Sequence, residues 1–203
     1  MARQDERSAT TQARILAAAR TLFLGRPYAD VTTDMIARAA EVTKGGLYHH
    51  FPSKEQLYVS MMLGDLEGKR KLFEEAVDMG GTCRERLARL TRDFLDLPDE
   101  ESGLMRLVRR DVNTFGGEDR DRLVRAYQRA LPKQVEAIVR DGIRNGELAP
   151  ADPRLLSWSF VALVEIVIGD YAARVLGDAE TRLDHVLGLF FEGAETVPAK
   201  VMA

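Results

Sequence analysis

Apolar residues recur every three or four positions along most of the chain, and Gly or Pro interrupts the pattern at helix-length intervals. This spacing places apolar side chains on one face of an α-helix, whereas a half-buried strand requires strict alternation. In the first such segment one face carries Ile15, Leu16, Ala19, Leu22 and Phe23, and the charged residues lie largely on the other. The pattern predicts an all-α protein.

Capping residues and breakers divide this pattern into successive helices. Thr32 and Thr43 are expected N-caps of two short helices, and Ser53, followed by Gln56 three residues later, is the expected start of a long one. The expected helices cover about residues 11–25, 33–40, 44–51, 53–79, 83–97, 103–114, 119–145 with a break near Pro132, 153–176 and 179–193.

The two short helices are joined by the tight turn EVT, an arrangement typical of a helix-turn-helix. Neither internal repeats nor low-complexity tracts divide the rest of the chain. We therefore expect a three-helix domain over residues 1–56 and a larger helical domain over residues 57–203, with the boundary inside the long helix.

The segment VTKGGLYHHFPSK, residues 42–54, has an unusual composition for a helix start. Glycine costs a helix about 1 kcal/mol relative to alanine, so Gly45 and Gly46 need another reason. Their bare backbone would let a flat macromolecular surface approach closely. Donors suited to phosphate or base edges surround this patch, namely Lys44, Tyr48, His49, His50 and Lys54.

The stretch TTDMIARAAEVTKGGLYHHFPSKEQL resembles the DNA-binding signature of the TetR family of bacterial transcriptional regulators, and the resemblance extends from about Thr11 to Leu63. It implies a three-helix DNA-binding domain followed by a helical domain for dimerisation and ligand binding. It further implies that Lys44 and Gly45 approach base edges. The residues implied to hold phosphates are Tyr48, His49, His50 and Lys54, and those implied as caps that contact the DNA backbone are Thr32, Thr33 and Thr43.

Two positions depart from the family pattern. Glu41 stands in the turn where the family usually has glycine, and Gly46 stands where threonine, serine or alanine is commoner. Because Gly46 offers no side chain to a base, sequence recognition is expected to depend more on Lys44 and on DNA shape.

Charge and cysteine content indicate which partners and which cellular compartment to expect. The net charge of −3 gives no global sign of a nucleic-acid partner, but residues 1–60 carry eight Lys and Arg against six Asp and Glu, a local charge of +2. Cys83 is the only cysteine, which excludes an intramolecular disulfide, and the N-terminus lacks the apolar segment of an export signal. A cytoplasmic protein without a transmembrane segment is expected.

The C-terminal part must supply a dimer surface if one helix-turn-helix reads each half of an operator. The last predicted helix, like the predicted helix that begins at Pro153, carries an apolar stripe that could face either a second copy or the chain's own core, and the sequence does not choose between them. The candidate dimer residues are Leu183, Val186, Leu187 and Phe190.

A ligand pocket is a second hypothesis for this part of the chain. Trp158 and Glu165 lie two turns apart on one helix face, so the carboxylate either has an internal partner, such as an arginine or water, or faces a cationic or hydrogen-bonding ligand beside the indole. Core packing is the alternative for the apolar members. The candidate lining residues are Met62, Phe94, Met105, Trp158, Val161 and Glu165.

Catalysis and metal binding have little support. Cys83 and His185 are the only hint of a thiol and base pair, and His49 and His50 are adjacent rather than one helical turn apart. We therefore expect no enzyme activity, no cofactor and no metal. The sequence predicts a homodimeric repressor that binds a pseudo-palindromic operator and is released by a small molecule; a DNA-bound scaffold controlled by a protein partner is the alternative. No motif in the sequence identifies the operator, the regulated genes or the effector. None distinguishes repression from activation.

Overall fold

The computed structural model describes residues 2–98, 101–103, 107 and 110–194, with side chains from residue 6 to residue 191 of these ranges. All regular structure in the described residues is helical, which confirms the all-α prediction. The α-helices are α1 (Ala2–Gly25), α2 (Thr33–Ala39), α3 (Lys44–His50), α4 (Lys54–Asp78), α5 (Cys83–Leu95), α6 (Gly117–Ala130), α7 (Pro132–Arg144), α8 (Pro153–Val167), α9 (Asp170–Leu176) and α10 (Ala179–Ala194). Short 3-10 helices occupy Tyr28–Asp30 and Val112–Thr114.

Two of the predicted boundaries are wrong. The helix α1 begins at Ala2 instead of Thr11, because the hydroxyls of Thr10 and Thr11 donate to the carbonyls of Glu6 and Arg7 one turn earlier and so remain compatible with a helix. The segment expected as one helix over 153–176 is two helices bent by 75°, because Gly169 is extended and is the N-cap of α9. The predicted break near Pro132 is confirmed, and the predicted helix 103–114 lies partly outside the described residues.

The helices form two compact units. Unit 1 comprises Met1–Glu67 and Pro98–Ala126, and unit 2 comprises Gly68–Leu97 and Tyr127–Ala203. The helix-turn-helix lies in unit 1, where Ile36 of α2 and Leu47 of α3 are fully buried. The domain boundary predicted between residues 56 and 57 stays a prediction.

An aromatic cluster forms part of the core of unit 1. Tyr58 packs edge-on against Phe23 and Tyr28, with ring centroids 4.8 and 5.2 Å apart, and Phe115 lies 5.1 Å from Tyr58. Such pairs add to the free energy gained from burial alone. The cluster ties the end of α1 and the first 3-10 helix to the start of α4.

A buried charged network adjoins this cluster. The Tyr58 hydroxyl donates to Asp111 Oδ2 at 2.7 Å, and Arg110 donates to both oxygens of the same carboxylate at 2.8 Å. Arg110 also donates to the carbonyls of Phe23 and Arg26, at the C-terminal end of α1. Burial, followed by the bond to Asp111, raises the pKa of Tyr58, so its hydroxyl stays protonated and remains a donor.

Unit 2 packs α5, α7, α8 and α10 around an apolar core. Phe160 of α8 and Phe190 of α10 meet edge-on with centroids 5.0 Å apart, and Leu87 and Phe94 of α5 are buried. Among the described residues no single helix has the length and apolar character of a bilayer span; α8 and α9 reach that threshold only when taken together across their bend.

Cys83 starts α5 as a buried residue, whereas His185 is exposed. Burial, reinforced by Glu147, raises the pKa of the Cys83 thiol to about 12. Only the thiolate is strongly nucleophilic, so this thiol is unreactive near neutral pH.

Candidate nucleic-acid interface

The two short helices are held by the caps that the sequence predicts. Thr32 Oγ1 accepts from the Met35 amide at 3.2 Å, and Thr43 Oγ1 accepts from the Gly46 amide at 3.0 Å. Each cap satisfies an amide that has no partner within the helix itself. The predicted N-cap roles of both threonines are confirmed, and these caps fix where α2 and α3 begin.

The turn between α2 and α3 is left-handed at Glu41, with φ +52°. This backbone conformation favours glycine and strains other residues, which explains why glycine is usual there in the family pattern. Arg14 of α1 compensates, since its guanidinium donates to the Ala40 carbonyl at 2.7 Å and lies 3.3 Å from the Glu41 carboxylate. The turn therefore keeps its left-handed conformation although residue 41 is not glycine.

The exposed side of α3 presents bare backbone at Gly45. A methyl group built at Gly45 would meet no atom within 4 Å, so nothing inside the protein requires glycine there. At Gly46 the same methyl would lie 3.2 Å from Thr43 Oγ1, so this glycine relieves crowding at the cap. The two glycines thus have different explanations, and only Gly45 leaves its surface free for an external partner.

Lys44 starts α3 and reaches back to α2. Its ammonium lies 2.8 Å from Asp34 Oδ1, and both side chains are largely exposed. The hydrogen bond to Asp34 raises the pKa of Lys44. Sequence reasoning missed Asp34 as a partner, although both residues occupy the first turns of consecutive helices. Asp34 therefore competes with any new anion for the Lys44 ammonium, which has three donors.

A recess of about 420 Å³, which we call the Tyr48 groove, lies beside α3. The Tyr48 hydroxyl is 3.2 Å from Thr33 Oγ1, and Ser53 Oγ accepts from the Gln56 amide as the cap of α4. The starts of α2 and α4 therefore both border the groove, and helix starts favour anions. The lining residues are Ala29, Val31, Thr32, Thr33, Tyr48, Pro52, Ser53 and Lys54.

Lys54 has a structural role that the sequence did not indicate. Its ammonium donates to the carbonyls of Tyr28 and Val31 at 2.9 and 3.0 Å and lies 4.1 Å from the centre of the Tyr28 ring. Burial lowers the pKa of Lys54. An ammonium has three donors, so one remains for a further acceptor in the groove.

The two histidines are separate from the groove. His49 is exposed and His50 is half-buried at the end of α3, with their ring centroids 5.4 Å apart. The structure therefore brings Thr32, Thr33, Tyr48 and Lys54 together at the groove, whereas His49 and His50, which follow Tyr48 in α3, do not line it.

Comparison with known proteins identifies this arrangement. The family model described as "Bacterial regulatory proteins, tetR family" matches residues 15–61, and the one described as "Tetracyclin repressor-like, C-terminal domain" matches residues 80–169. Together the two matches cover more than half of the chain. The chain belongs to the TetR family of bacterial transcriptional regulators. It is a DNA-binding transcriptional regulator and not an enzyme.

Similar TetR-family and helix-turn-helix proteins extend this comparison. The Bacillus subtilis "Uncharacterized HTH-type transcriptional regulator YhgD" is 24% identical over 159 residues, 77% of this chain and 82% of YhgD. The structure of AibR in complex with isovaleryl coenzyme A and operator DNA is 26% identical, with a TM-score of 0.71, over 88% of this chain and 97% of AibR. The Bacillus subtilis regulator FadR in complex with stearoyl-CoA has the same fold, with a TM-score of 0.75 and 20% identity over 89% of this chain and 98% of FadR.

The predicted ligand residues of this TetR-family chain are dispersed. Met62 is buried in unit 1, Phe94 and Val161 are buried in unit 2, and Met105 lies outside the described residues. Trp158 and Glu165 do share a neighbour, Tyr127. The Tyr127 hydroxyl donates to Glu165 Oε1 at 2.7 Å, so this carboxylate does have an internal partner, a tyrosine.

The predicted dimer residues are already buried in a single chain. Leu183, Val186, Leu187 and Phe190 have exposed fractions of 6% or less, because this stripe of α10 faces the core of unit 2. Large apolar side chains that are exposed elsewhere in the same unit include Leu155, Trp158, Ile166, Tyr171, Val175 and Leu189. A helical stripe in the sequence did not reveal which face the core would use.

Proposed function

We propose that this TetR-family protein is a cytoplasmic homodimeric repressor in which α3 of each protomer reads one half of a pseudo-palindromic operator, and that a small-molecule effector releases it. The observation that carries the proposal is the bare, uncrowded backbone at Gly45 beside the Tyr48 groove. The similar AibR structure, which holds isovaleryl coenzyme A and operator DNA, supports a ligand-responsive role.

The proposed contacts combine this geometry with the family resemblance. Lys44 and Gly45 approach base edges, and Thr33, Tyr48 and Lys54 bind phosphate at the Tyr48 groove, where the dipoles of α2 and α4 favour an anion. Thr32 and Thr43 support these contacts as caps, and Gly46 keeps the α3 cap uncrowded. His49 and His50 bind phosphate beyond the groove, at the end of α3.

Selection of bound fragments from genomic DNA tests the function as a whole. We expect the purified protein to enrich a small set of fragments that share an inverted repeat, with half-sites about 34–36 Å apart or a multiple of that distance. Recovery of fragments with no common sequence would contradict an operator-binding repressor.

The proposed dimer surface is the exposed apolar face of unit 2. Along α8 the exposed residues Leu155, Ser159, Ala162 and Ile166 recur at spacings of four, three and four, which places them in one line. Leu189 of α10 is also exposed. Two large apolar side chains, Leu155 and Ile166, thus lie on one exposed line with only small residues between them, and a second copy would bury them.

Ile166→Glu should convert the dimer to monomers, because burying an unpaired carboxylate opposes association. Analytical ultracentrifugation measures the oligomeric state. Operator affinity should fall as well, since a monomer reads only one half-site. Met79→Glu is the matched control, because Met79 is also apolar and exposed but lies outside the proposed face. An Ile166→Glu protein that remained dimeric would contradict this surface.

Lys54→Ala should weaken binding to operator and to unrelated DNA about equally, and it should reduce the slope of log affinity against log salt by nearly one unit. The reason is the loss of one phosphate contact and its released counterion. Titrations at several salt concentrations measure the slope. If stability fell while the salt slope stayed unchanged, Lys54 would only stabilise the fold through its hydrogen bonds to the carbonyls of Tyr28 and Val31.

A further inference from the structure

A second recess lies on the surface of unit 2, where the end of α6 meets the starts of α7 and α8. We call it the Trp158 recess; its volume is about 270 Å³. This volume is slightly below the range of about 300–1,000 Å³ that is usual for ligand sites, so only a small molecule would fit. The lining residues are Gln128, Pro132, Lys133, Glu136, Arg154 and Trp158.

Trp158 is held in place by its neighbour Tyr127. Its ring lies 6.3 Å from that of Tyr127, between centroids, and the Tyr127 hydroxyl is fixed by its 2.7 Å bond to Glu165. The indole nevertheless keeps 37% of its surface exposed. The recess therefore has a preorganised aromatic wall that is open to solvent.

The recess also carries two cations, Lys133 and Arg154. Lys133 and Arg154 are exposed, and neither has an ion pair among the described residues. The one carboxylate on the rim, Glu136, pairs with Arg140. Lys133 lies in the first turn of α7, whose N-cap Leu131 makes no side-chain cap bond, so the helix dipole adds to the positive potential.

We propose that the Trp158 recess binds a small aromatic carboxylate, with its ring against the indole and its carboxylate between Lys133 and Arg154. An aromatic face and two unpaired cations together select a flat anion, because each group alone would accept many other ligands. The volume is compatible with one or two rings, since a cavity of about 150 Å³ already holds benzene. The claim that this ligand acts as the effector rests on the proposed repressor function.

The chain contains a single tryptophan, so its fluorescence reports this recess directly. Titration with benzoate should give a saturable change in Trp158 emission. Benzamide, which has the same ring without the charge, should bind at least about tenfold more weakly, because it lacks charge-assisted hydrogen bonds. Absence of a saturable change, or equal binding of benzamide and benzoate, would overturn the site.

Two variants locate the carboxylate. Lys133→Gln and Arg154→Gln should each weaken benzoate binding about tenfold, because each removes one charged donor. Arg174→Gln is the matched control, since Arg174 is an exposed arginine of unit 2 that does not line the recess. Equal losses in all three variants would show that benzoate responds only to net charge, and the site would be rejected.

Operator binding with and without benzoate tests the effector role separately. Saturating benzoate should lower operator affinity about 5- to 150-fold, the usual range of allosteric coupling, and operator DNA should weaken benzoate binding by the same factor. Saturable benzoate binding without any change in operator affinity would overturn the effector role. Failure of the ligand-free protein to select an operator would instead contradict the repressor function, whatever the fluorescence showed.

Discussion

Gly45→Leu is expected to reduce operator affinity by at least about 100-fold while leaving the protein folded and dimeric. The fold should tolerate the change, because a β-carbon built at this exposed position has no neighbouring atom within 4 Å, and leucine favours a helix by up to about 1 kcal/mol over glycine. On DNA the leucine side chain would hold the α3 backbone away from the base edges, and Lys44 could no longer contact them. Operator titration and thermal unfolding of the same preparation measure both effects.

Gly68→Leu is the matched control for this experiment. Gly68 is an exposed glycine of α4 with no atom within 4 Å of the added carbon, so it gains the same helix propensity at a distance from α3. It should bind operator normally. Native operator affinity for Gly45→Leu would mean that the backbone of α3 does not approach DNA closely, and the interface proposed around Gly45 would have to be abandoned.

Asp111→Ala is expected to lower the free energy of unfolding by about 3 kcal/mol, the largest stability effect we anticipate for a single side chain. The carboxylate is only 5% exposed and accepts from Tyr58 and Arg110. Its removal leaves the buried Tyr58 hydroxyl without that acceptor and releases the guanidinium that binds the carbonyls at the end of α1. Denaturant unfolding with operator titration measures the change and its effect on the DNA-binding unit.

Two comparisons separate this network from a general loss of charge. Asp119→Ala removes an aspartate whose partner, Arg122, is half-exposed, and should change stability by less than about 1 kcal/mol. Tyr58→Phe should be destabilising by itself but should add little to Asp111→Ala, because both remove the same hydrogen bond. Additive effects of the two substitutions would show that the hydroxyl and the carboxylate do not act together.

The helix-turn-helix was predictable because its signals are local. Thr32, Thr43 and Ser53 each cap an amide three residues later, so a cap can be recognised within a few residues of sequence. Partners that are distant in sequence were not predictable. Arg14 and the Ala40 carbonyl are separated by 26 residues, as are Lys54 and the Tyr28 carbonyl, and no periodicity indicates that either pair meets.

The C-terminal part shows the same limit for helix faces. An apolar stripe such as that of Leu183 and Phe190 fits a core or a dimer equally well, and only packing distinguishes the two. The break at Gly169 was missed for a related reason. Helical periodicity continues across it, and one glycine is compatible with either a helix interior or a cap.

The bond from Arg14 to the strained turn limits how far the DNA-reading segment can be transplanted. A peptide or chimaera that carried only residues 31–54 would contain both helices and all their caps, yet Glu41 would keep its left-handed backbone without the guanidinium that stabilises it. Transfer of the operator preference to another scaffold therefore requires either an arginine equivalent to Arg14 on the preceding helix or glycine in place of Glu41. In this chain α1 belongs to the smallest transferable recognition module.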